Sequence, residues 1–411
     1  MTGPLVLIEP YADRLGGHHQ RTLVALAQAR PGSLVVAPRG IAREAVAALR
    51  EAGAQLVTAP AGHQAAVLLA ASRVAAGLSR AGLRVFRSHR RPRFLRRVPH
   101  QITLIARCLA EASALRTARR LESGAEAVVI LSASEALHGA AALLGGLPHL
   151  RFVHEQVTTE GAAVRFLGRL ARRGERLATA VCPTWAVGDR FTAAFPDLPV
   201  VVRAFAVDDG RRLTDAEREG GRTAFGIPTG QAAVCLVGGW WPYKGIGVVD
   251  AALLLLKEPL HLVVTGVPLD EAVLARWRDL PNVRLHTVPG PVSESVLRLV
   301  YAAADAALVT RHPGVGKESG LVMDAARLGV PLVVSDHDPG LTARLSGRAW
   351  ALAFAAGDPD ALAEALHNVI RQPPERPGID TPHLLGMWSA ARQADFLART
   401  FASLRTEKSP C

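Results

Sequence analysis

Short apolar runs alternate with helical stretches along this chain, and this alternation limits its fold more than any other feature of the sequence. In the first half, the apolar runs occupy 5–8, 34–37, 127–131, 150–154 and 179–182. Stretches with helical composition, such as 20–29 and 41–52, lie between them. Buried parallel strands joined by crossover helices have this pattern, so the sequence predicts an α/β fold with doubly wound parallel sheets.

The same alternation begins again after a polar, charged stretch at 207–219. The second series of apolar runs lies at 232–237, 261–265, 283–286, 306–310 and 331–335. A chain of 411 residues is too long for one ordinary core. We therefore predict a first domain over 1–206, a second over 207–375, and a helical tail over 376–411 that crosses back to the first domain. Two Rossmann-like domains would face each other across a cleft, because such sheets bind ligands beyond the carboxyl ends of their strands.

A dense block of arginines carries much of the net charge of +12. Its members are Arg80, Arg84, Arg87, Arg90, Arg91, Arg93, Arg96 and Arg97. The segment 80–99 shows no clear period and is predicted to be an inserted loop. The block is a solvated loop, a contact for an anionic membrane or acceptor, or a nucleic-acid surface; the last ranks third, because the sequence contains no recognised reader motif.

The remaining composition favours a cytoplasmic protein. The four cysteines are scattered without metal-ligand spacing, which indicates free, mostly buried thiols in a reducing compartment. The apolar runs are too short for a membrane span, and 1–10 is interpreted as a first strand and not as a leader.

A glycine-rich loop with one lysine follows the apolar run 232–237. The loop, 238–245, has the sequence G-G-W-W-P-Y-K-G. Glycines let the backbone approach a ligand closely, and Lys244 would supply a fixed positive charge for a phosphate. Lysine is scarce in this chain, since only four are present, so its occurrence at Lys244 and Lys317 is informative.

A second segment, 317–331, would complete an anion site. Ser319 and Gly320 would begin a helix whose free N–H groups attract a diphosphate. Either Arg311 or Lys317 could join Lys244 in neutralising a leaving group, a task that other enzymes give to a metal ion. Asp324, one turn further along, would accept hydrogen bonds from ribose hydroxyls.

Residues 230–370 resemble the retaining glycosyltransferases of family 4, which have the two-domain GT-B architecture. The loop 238–245 is similar to that family's G-R-x-x-x-x-K-G loop, and 262–268 is similar to its next strand and turn. The segment 301–305 resembles the helix before the nucleotide-sugar loop, and 317–331 resembles the E-x7-E segment. The resemblance implies transfer of a sugar from a nucleotide-diphosphate sugar to an acceptor hydroxyl or amine, with no metal and no further cofactor.

The resemblance also implies roles for individual residues. Donor phosphates would contact Gly239, Lys244, Arg311, Lys317, Ser319, Gly320 and Leu321. Glu318 and His154 would act at the reacting sugar, and Asp324 would hold the ribose. In the first half, Gly16, Gly17 and His18 resemble the glycine loop that admits the acceptor, and His154 ends an apolar run where the family has its active-site histidine.

Three positions depart from the family pattern. Gly239 replaces an arginine, Asp324 replaces the second glutamate, and Glu318 lies six residues before Asp324 where the family has a spacing of eight. Either Glu318 takes the first acid's role or that carboxylate is absent. A sugar phosphorylase of the same architecture and a non-catalytic nucleotide-sugar-binding subunit therefore stay open as alternatives. The D-x-D at 336–338 resembles a metal-binding signature of other glycosyltransferases, but its late position favours a loop role.

Overall fold

The computed structural model describes residues 3–13, 17–85, 93–121, 124–134, 136–154 and 162–406, and these form two compact units. The first unit contains the described residues of three stretches, which are 3–13, His19–Val207 and those from Ser389 onward. The second contains Asp208–Trp388 and, of the described residues before His19, also 17–18. The chain therefore passes into the second unit at 207–208 and returns at 388–389; the sequence prediction placed these boundaries at 207 and 376.

The first unit is built on a seven-stranded sheet in which all neighbouring strands are parallel. Its strands are β1 (Leu5–Ile8), β2 (Leu34–Val36), β3 (Gln55–Val57), β4 (Ala127–Ile130), β5 (His149–Phe152), β6 (Ala178–Cys182) and β7 (Val200–Val202). Their order in the sheet is β3-β2-β1-β4-β5-β6-β7. The central strands are fully buried, which explains their continuous apolar sequences.

Helices connect these strands. They are α1 (Gly17–Ala29), α2 (Arg43–Glu51), α3 (His63–Val85), α4 (Arg93–Leu121), α5 (His138–Gly145), α6 (Ala162–Leu170) and α7 (Trp185–Ala194), with a 3-10 helix at Arg172–Leu177. The chain leaves this unit through the short strand β8 (Val207–Asp208).

The prediction of a loop over 80–99 was wrong for the part of that segment that the structure describes. Arg80 and Arg84 lie in the last turns of α3, and Arg97 and Pro99 lie in the first turns of α4; residues 86–92 fall outside the described ranges. Ser79 Oγ donates a hydrogen bond of 2.7 Å to the Pro99 carbonyl, so the two helices pack side by side up to this point. These helices are exposed except where they pack on each other, so the apolar residues of the packed face do not stand out in the sequence. Tertiary packing stabilises the helices although their apolar period is weak.

The second unit contains a six-stranded parallel sheet. Its strands are β9 (Ala233–Val237), β10 (Leu260–Gly266), β11 (Val283–Pro289), β12 (Ala306–Val309), β13 (Leu332–Ser335) and β14 (Ala351–Phe354). Its helices are α8 (Asp215–Ala224), α9 (Ile246–Leu254), α10 (Glu271–Arg278), α11 (Glu294–Ala303), α12 (Gly320–Leu328), α13 (Pro339–Leu345), α14 (Pro359–Arg371) and α15 (Thr381–Leu384), with a 3-10 turn at Pro242–Lys244. The order β11-β10-β9-β12-β13-β14 reverses direction between β9 and β12, as the first sheet does between β1 and β4.

The last helix belongs to the core of the first unit. After β15 (Trp388–Ser389), which pairs with β8, helix α16 (Ala390–Thr406) buries an apolar face against the first sheet. This face consists of Ala394, Leu397, Phe401 and Leu404. The sequence predicted a helical tail over 376–411. In the described part of this tail the structure has two helices: the short α15 ends at Leu384, and α16 begins six residues later.

The prediction of buried free thiols is confirmed for Cys108, Cys182 and Cys235, and Cys411 lies outside the described residues. Burial raises the pKa of the Cys108 and Cys182 thiols to about 12. These thiols are therefore protonated and unreactive at neutral pH.

Candidate functional site

Three loops of the second unit are tied together where the sheet order reverses. They follow β9, β12 and β13, which are neighbours in the sheet. Thr310 Oγ1 donates a hydrogen bond of 2.5 Å to the Lys244 carbonyl, and the His312 amide donates one of 2.9 Å to the Tyr243 carbonyl. The Arg311 amide donates to Ser335 Oγ at 3.0 Å. Ligands of open parallel sheets bind at such a reversal, so the topology and these contacts locate a candidate site here.

Lys244 is the most unusual ionisable residue of this site. Its side chain is only 7% exposed, and Nζ donates a hydrogen bond of 3.0 Å to the Val237 carbonyl. Burial, together with repulsion from Arg311 and Lys317, lowers the pKa of Lys244 to about 7. A cation in so unfavourable an environment would gain from a bound anion, which would offset both the desolvation and the repulsion.

Tyr243 brings the other two cations of the site together. Lys317 Nζ lies 4.0 Å from the centroid of the Tyr243 ring, and the Arg311 guanidinium carbon lies 5.9 Å from it. Arg311 is buried, and its Nη1 donates a hydrogen bond of 3.0 Å to the Lys317 carbonyl. We call Lys244, Arg311 and Lys317 the cation cluster. They are the three positively charged residues among the seven that the sequence predicted for the phosphates, and the structure brings them together.

Gly239 lies in a position with no room for a side chain. A Cβ atom at this position would lie 2.0 Å from the Val267 carbonyl oxygen and 2.4 Å from its carbonyl carbon. The Trp240 amide also donates a hydrogen bond of 2.6 Å to the Pro268 carbonyl, so the loop after β9 lies directly on the loop after β10. No side chain fits at 239 in this arrangement, and Gly239 can contact a ligand only through its backbone.

Helix α12 begins beside the cation cluster in sequence. Ser319 is its buried N-cap and accepts a hydrogen bond from the Val322 amide at 3.5 Å, and Gly320 is its first residue. Leu321 and Glu318 are half-buried on either side of this start. Asp324 is buried one turn further along. The helix start that was predicted from S-G at 319–320 is therefore where the structure has it.

Arg327 lies one turn beyond Asp324 and has a structural role. It is buried and forms ion pairs with Asp209 at 3.0 Å and with Glu294 at 3.3 Å. These contacts fix the far end of α12 within the second unit.

The D-x-D residues hold backbone groups, as a loop role predicts. Asp338 caps α13 by accepting hydrogen bonds from the Gly340 and Leu341 amides, and Asp336 accepts one of 2.7 Å from the Ala356 amide. Between them, burial and the nearby Arg311 lower the pKa of His337 to about 4, so this imidazole is neutral at pH 7. Within the described ranges, the structure has no group of three or more His, Cys, Asp and Glu side chains arranged to hold a metal ion.

A second polar cluster lies in the first unit, beyond the carboxyl ends of β1, β4 and β5. Buried Glu9 accepts a hydrogen bond of 2.7 Å from Ser132 Oγ, which lies 3.0 Å from Nδ1 of His19. The His19 ring packs edge-on against His154 at a centroid distance of 4.5 Å, and both rings contact Phe205. Nε2 of His154 lies 3.0 Å from the Leu131 carbonyl oxygen, which fixes the direction of its ring.

The predicted acceptor loop is described only in part. Gly16 lies outside the described residues, whereas Gly17 and His18 form the start of α1. The structure therefore places His154 against His19, which directly follows His18 in the sequence.

Sequence reasoning missed several residues of both clusters. Tyr243 and Ser335 organise the cation cluster, while Glu9 and Ser132 organise the histidines. Tyr243 carried a signal, since it directly precedes the loop lysine. Glu9 and Ser132 follow apolar runs and Ser335 is the last residue of one, so only the sheet order brings them beside the predicted residues.

Residues 231–372 match the family model of the glycosyl transferases group 1. This region begins just before β9 and ends just after α14, so it contains the cation cluster and α12. A search of curated proteins finds no match to this chain.

Solved structures resemble the chain over nearly its whole length. Anabaena Alr3699/HepE, solved in complex with UDP-glucose, has a TM-score of 0.61 at 12% sequence identity, with 98% of this chain and 99% of that chain covered. A trehalose-phosphate synthase from Burkholderia xenovorans, solved with glucose-6-phosphate, has a TM-score of 0.58 at 13% identity, with coverages of 98% and 100%. A glycosyltransferase from Rickettsia africae has a TM-score of 0.56 at 12% sequence identity, with 99% of this chain and 97% of that chain covered. At these identities the likeness shows the fold, and the chain has the GT-B fold that was predicted.

Proposed function

We propose that this protein is a retaining glycosyltransferase that moves a sugar from a nucleotide-diphosphate sugar to an acceptor hydroxyl or amine. The match of 231–372 to the glycosyl transferases group 1 and the GT-B fold support the general class. HepE was solved with UDP-glucose and UDP, which supports a nucleotide-sugar donor for a chain of this fold.

The cation cluster is the observation that carries this proposal. Lys244 is buried beside two other positive side chains, and its pKa is lowered to about 7 by that environment. A diphosphate leaving group would pair with Lys244, Arg311 and Lys317, which stabilises the charge that develops as the sugar departs. Three positive side chains supply the charge that a metal ion supplies in other enzymes, so we propose a reaction independent of metal.

The remaining roles follow from the start of α12. Backbone amides at Gly320 and Leu321, oriented by the Ser319 cap, would bind the diphosphate, and Gly239 would contribute its backbone. Asp324 would bind the ribose, and Glu318 would contact the sugar hydroxyls. In a front-face reaction the departing phosphate oxygen takes the acceptor's proton, so no separate base is required.

The acceptor would bind to the first unit. His154 would orient the sugar or stabilise its developing positive charge, and Gly16, Gly17 and His18 would line the acceptor's entry. The packing of His154 against His19, which Ser132 and Glu9 hold, supports a fixed imidazole at this position. The acceptors that we propose are natural products, polysaccharides or lipids. The setting that we propose is a bacterial cytoplasm, with peripheral contact between the protein and an anionic membrane.

Release of nucleoside diphosphate from a panel of nucleotide sugars, with EDTA present, tests the proposal. We expect turnover by the natural chain and by Lys257→Met, which removes an exposed lysine of the same unit, and a loss of at least tenfold for Lys244→Met. Release of sugar phosphate from inorganic phosphate instead would support the phosphorylase alternative. Binding without turnover, with an intact biological role for Lys244→Met, would support a non-catalytic subunit.

A further inference from the structure

Helix α3 of the first unit presents an apolar stripe that the described part of the protein leaves exposed. Val67 is 51% exposed, Val74 is 64% exposed and Leu78 is 59% exposed. Ala70, Ala71 and Ala81 are also exposed and lie on the same side of the helix, since the spacing follows the helical period. We call these six residues the outer stripe.

The opposite face of α3 is the one that packs on α4. Ala65, Leu69, Ser72 and Ser79 are buried there. Ser72 Oγ donates a hydrogen bond of 2.7 Å to the Ala106 carbonyl, and Ser79 Oγ donates one of 2.7 Å to the Pro99 carbonyl. The outer stripe is therefore not the core face of α3.

The length and composition of α3 admit two relations to a lipid bilayer. His63–Arg84 has a mean hydropathy of 1.3 over a window of which only 17% is buried. By length and composition alone it could cross a membrane, contrary to the expectation from the short apolar runs of the sequence. The two serine contacts to α4 argue against a span, because they hold one face of α3 in a packed helical pair. An exposed apolar stripe on an anchored helix instead fits a position at the lipid–water interface.

The charged side chains along the sequence of α3 and the first half of α4 have one sign. Between Glu51 and Glu111 the sequence contains ten arginines and neither aspartate nor glutamate. Arg73, Arg80 and Arg84 are exposed along one flank of the outer stripe. Apolar residues bordered by arginines, without acidic residues, are complementary to a surface of apolar chains and anionic headgroups.

Helix α6 repeats the pattern on a second element that also packs on α4. Phe166 is 61% exposed and Leu170 is 66% exposed, and Leu167 and Ala163 are exposed on the same side. Arg165 and Arg169 are its only charged residues and both are exposed. The same combination of exposed apolar residues and arginines therefore occurs on two helices that pack on α4.

We infer that the first unit docks on the surface of an anionic lipid bilayer, with the outer stripe of α3 and the exposed face of α6 in the headgroup region and their arginines on the lipid phosphates. A nucleic acid would use the arginines but gives no reason for exposed valine and leucine at helical spacing. This inference rests on the membrane contact of the proposed function and names the surface that makes it. Docking itself needs no sugar donor, so it can be tested apart from the proposed reaction.

Co-sedimentation with vesicles measures the docking directly, without donor or acceptor. We expect binding to phosphatidylcholine vesicles that contain 30% phosphatidylglycerol, and much weaker binding to phosphatidylcholine alone. Replacing Arg73, Arg80 and Arg84 with Gln should weaken the binding by on the order of a hundredfold, since each basic residue near the surface contributes about fivefold. The matched control replaces Arg278, Arg284 and Arg348 of the second unit, which are exposed, and should leave binding unchanged.

Apolar insertion has its own variants. Val74→Ser with Leu78→Ser, and separately Phe166→Ser with Leu170→Ser, should each weaken vesicle binding by tenfold or more while the unfolding temperature stays unchanged. The control Leu254→Ser, at an exposed leucine of α9, should have no effect.

Three outcomes would overturn the inference. These are equal binding to vesicles with and without phosphatidylglycerol, unchanged binding of both serine variants, and binding to a 20-base single-stranded oligonucleotide at least as tight as binding to the anionic vesicles. Failure of the vesicle assay with normal release of nucleoside diphosphate would leave the proposed reaction intact.

Discussion

Lys244 is the residue on which the proposed chemistry depends most. It combines burial, one backbone hydrogen bond and two positive neighbours. A surface lysine would be charged at every physiological pH, but Lys244 loses its proton near neutrality when no ligand is bound.

The lowered pKa of Lys244 predicts how nucleotide affinity depends on pH. A bound diphosphate favours the charged lysine and raises its pKa toward the ordinary 10.5, so binding takes up a proton at any pH between about 7 and that higher value. The affinity for UDP should therefore fall by up to tenfold per pH unit above about pH 7. Isothermal titration at pH 8 in two buffers with different ionisation enthalpies should show uptake of nearly one proton.

Two variants are controls for this pH dependence. Lys244→Arg keeps the charge at every pH and should remove the fall, whereas Lys257→Met should retain it. Equal proton uptake in Lys244→Arg and the natural chain would assign the titration to another group.

Gly239 offers a prediction about the loop after β9. Gly239→Ala would place a methyl group 2.0 Å from the Val267 carbonyl oxygen, and the resulting overpacking should lower the free energy of unfolding by about 1–3 kcal/mol. Gly247→Ala is the matched control, because its Cβ would have no atom within 4 Å and it lies in α9, where alanine should stabilise by about 0.4–1 kcal/mol. Urea unfolding measures both, and a neutral Gly239→Ala would mean that the two loops separate easily.

At the scale of elements, the N-terminus of α12 should differ from that of α11. Ser319 and Ser293 both cap a helix by accepting a hydrogen bond from the amide three residues on. Replacing either with Ala should cost about 0.5–2 kcal/mol of stability. Only Ser319→Ala should also weaken UDP binding, because only α12 would direct its amides at the diphosphate. Calorimetry measures the UDP affinity of both variants. If the two variants bind UDP equally tightly, α12 is not part of the site.

The elements also show what the sequence could and could not predict. The strands, the turn at 238–245 and the start of α12 follow from local patterns, namely apolar runs, glycines and an S-G helix start. The helical turns at 80–85 and 93–99 could not be predicted, because the exposed face of α3 is apolar or arginine-rich and hides the period that its packed face follows. Ser132 Oγ contacts both His19 and Glu9, and these three residues come from separate elements, so only the sheet order reveals the contacts.

At the scale of the whole molecule, the last helix of the chain, α16, packs in the core of the first unit. Leu397 of α16 is fully buried among strands from the other end of the sequence. Leu397→Ala should therefore lower the free energy of unfolding of the first unit by about 2–5 kcal/mol, although it lies beyond the whole second unit in sequence. Leu384→Ala, at an exposed leucine, should change it by less than about 0.5 kcal/mol.

Urea titrations with and without UDP locate the effect of Leu397→Ala. A ligand stabilises only the unit that binds it, so UDP should delay unfolding of the second unit and leave the defect of the variant uncorrected. Full correction by UDP would contradict the assignment of α16 to the first unit.

Equilibrium binding of UDP to the natural chain, Lys244→Met and Lys257→Met, measured by calorimetry at pH 6.5, tests the central claim most directly. A charge-assisted contact contributes about 1.5–3 kcal/mol, so Lys244→Met should bind between about tenfold and 150-fold more weakly, with Lys257→Met unchanged. If Lys244→Met binds UDP as tightly as the natural chain does, the cation cluster does not hold the leaving group and the account is wrong.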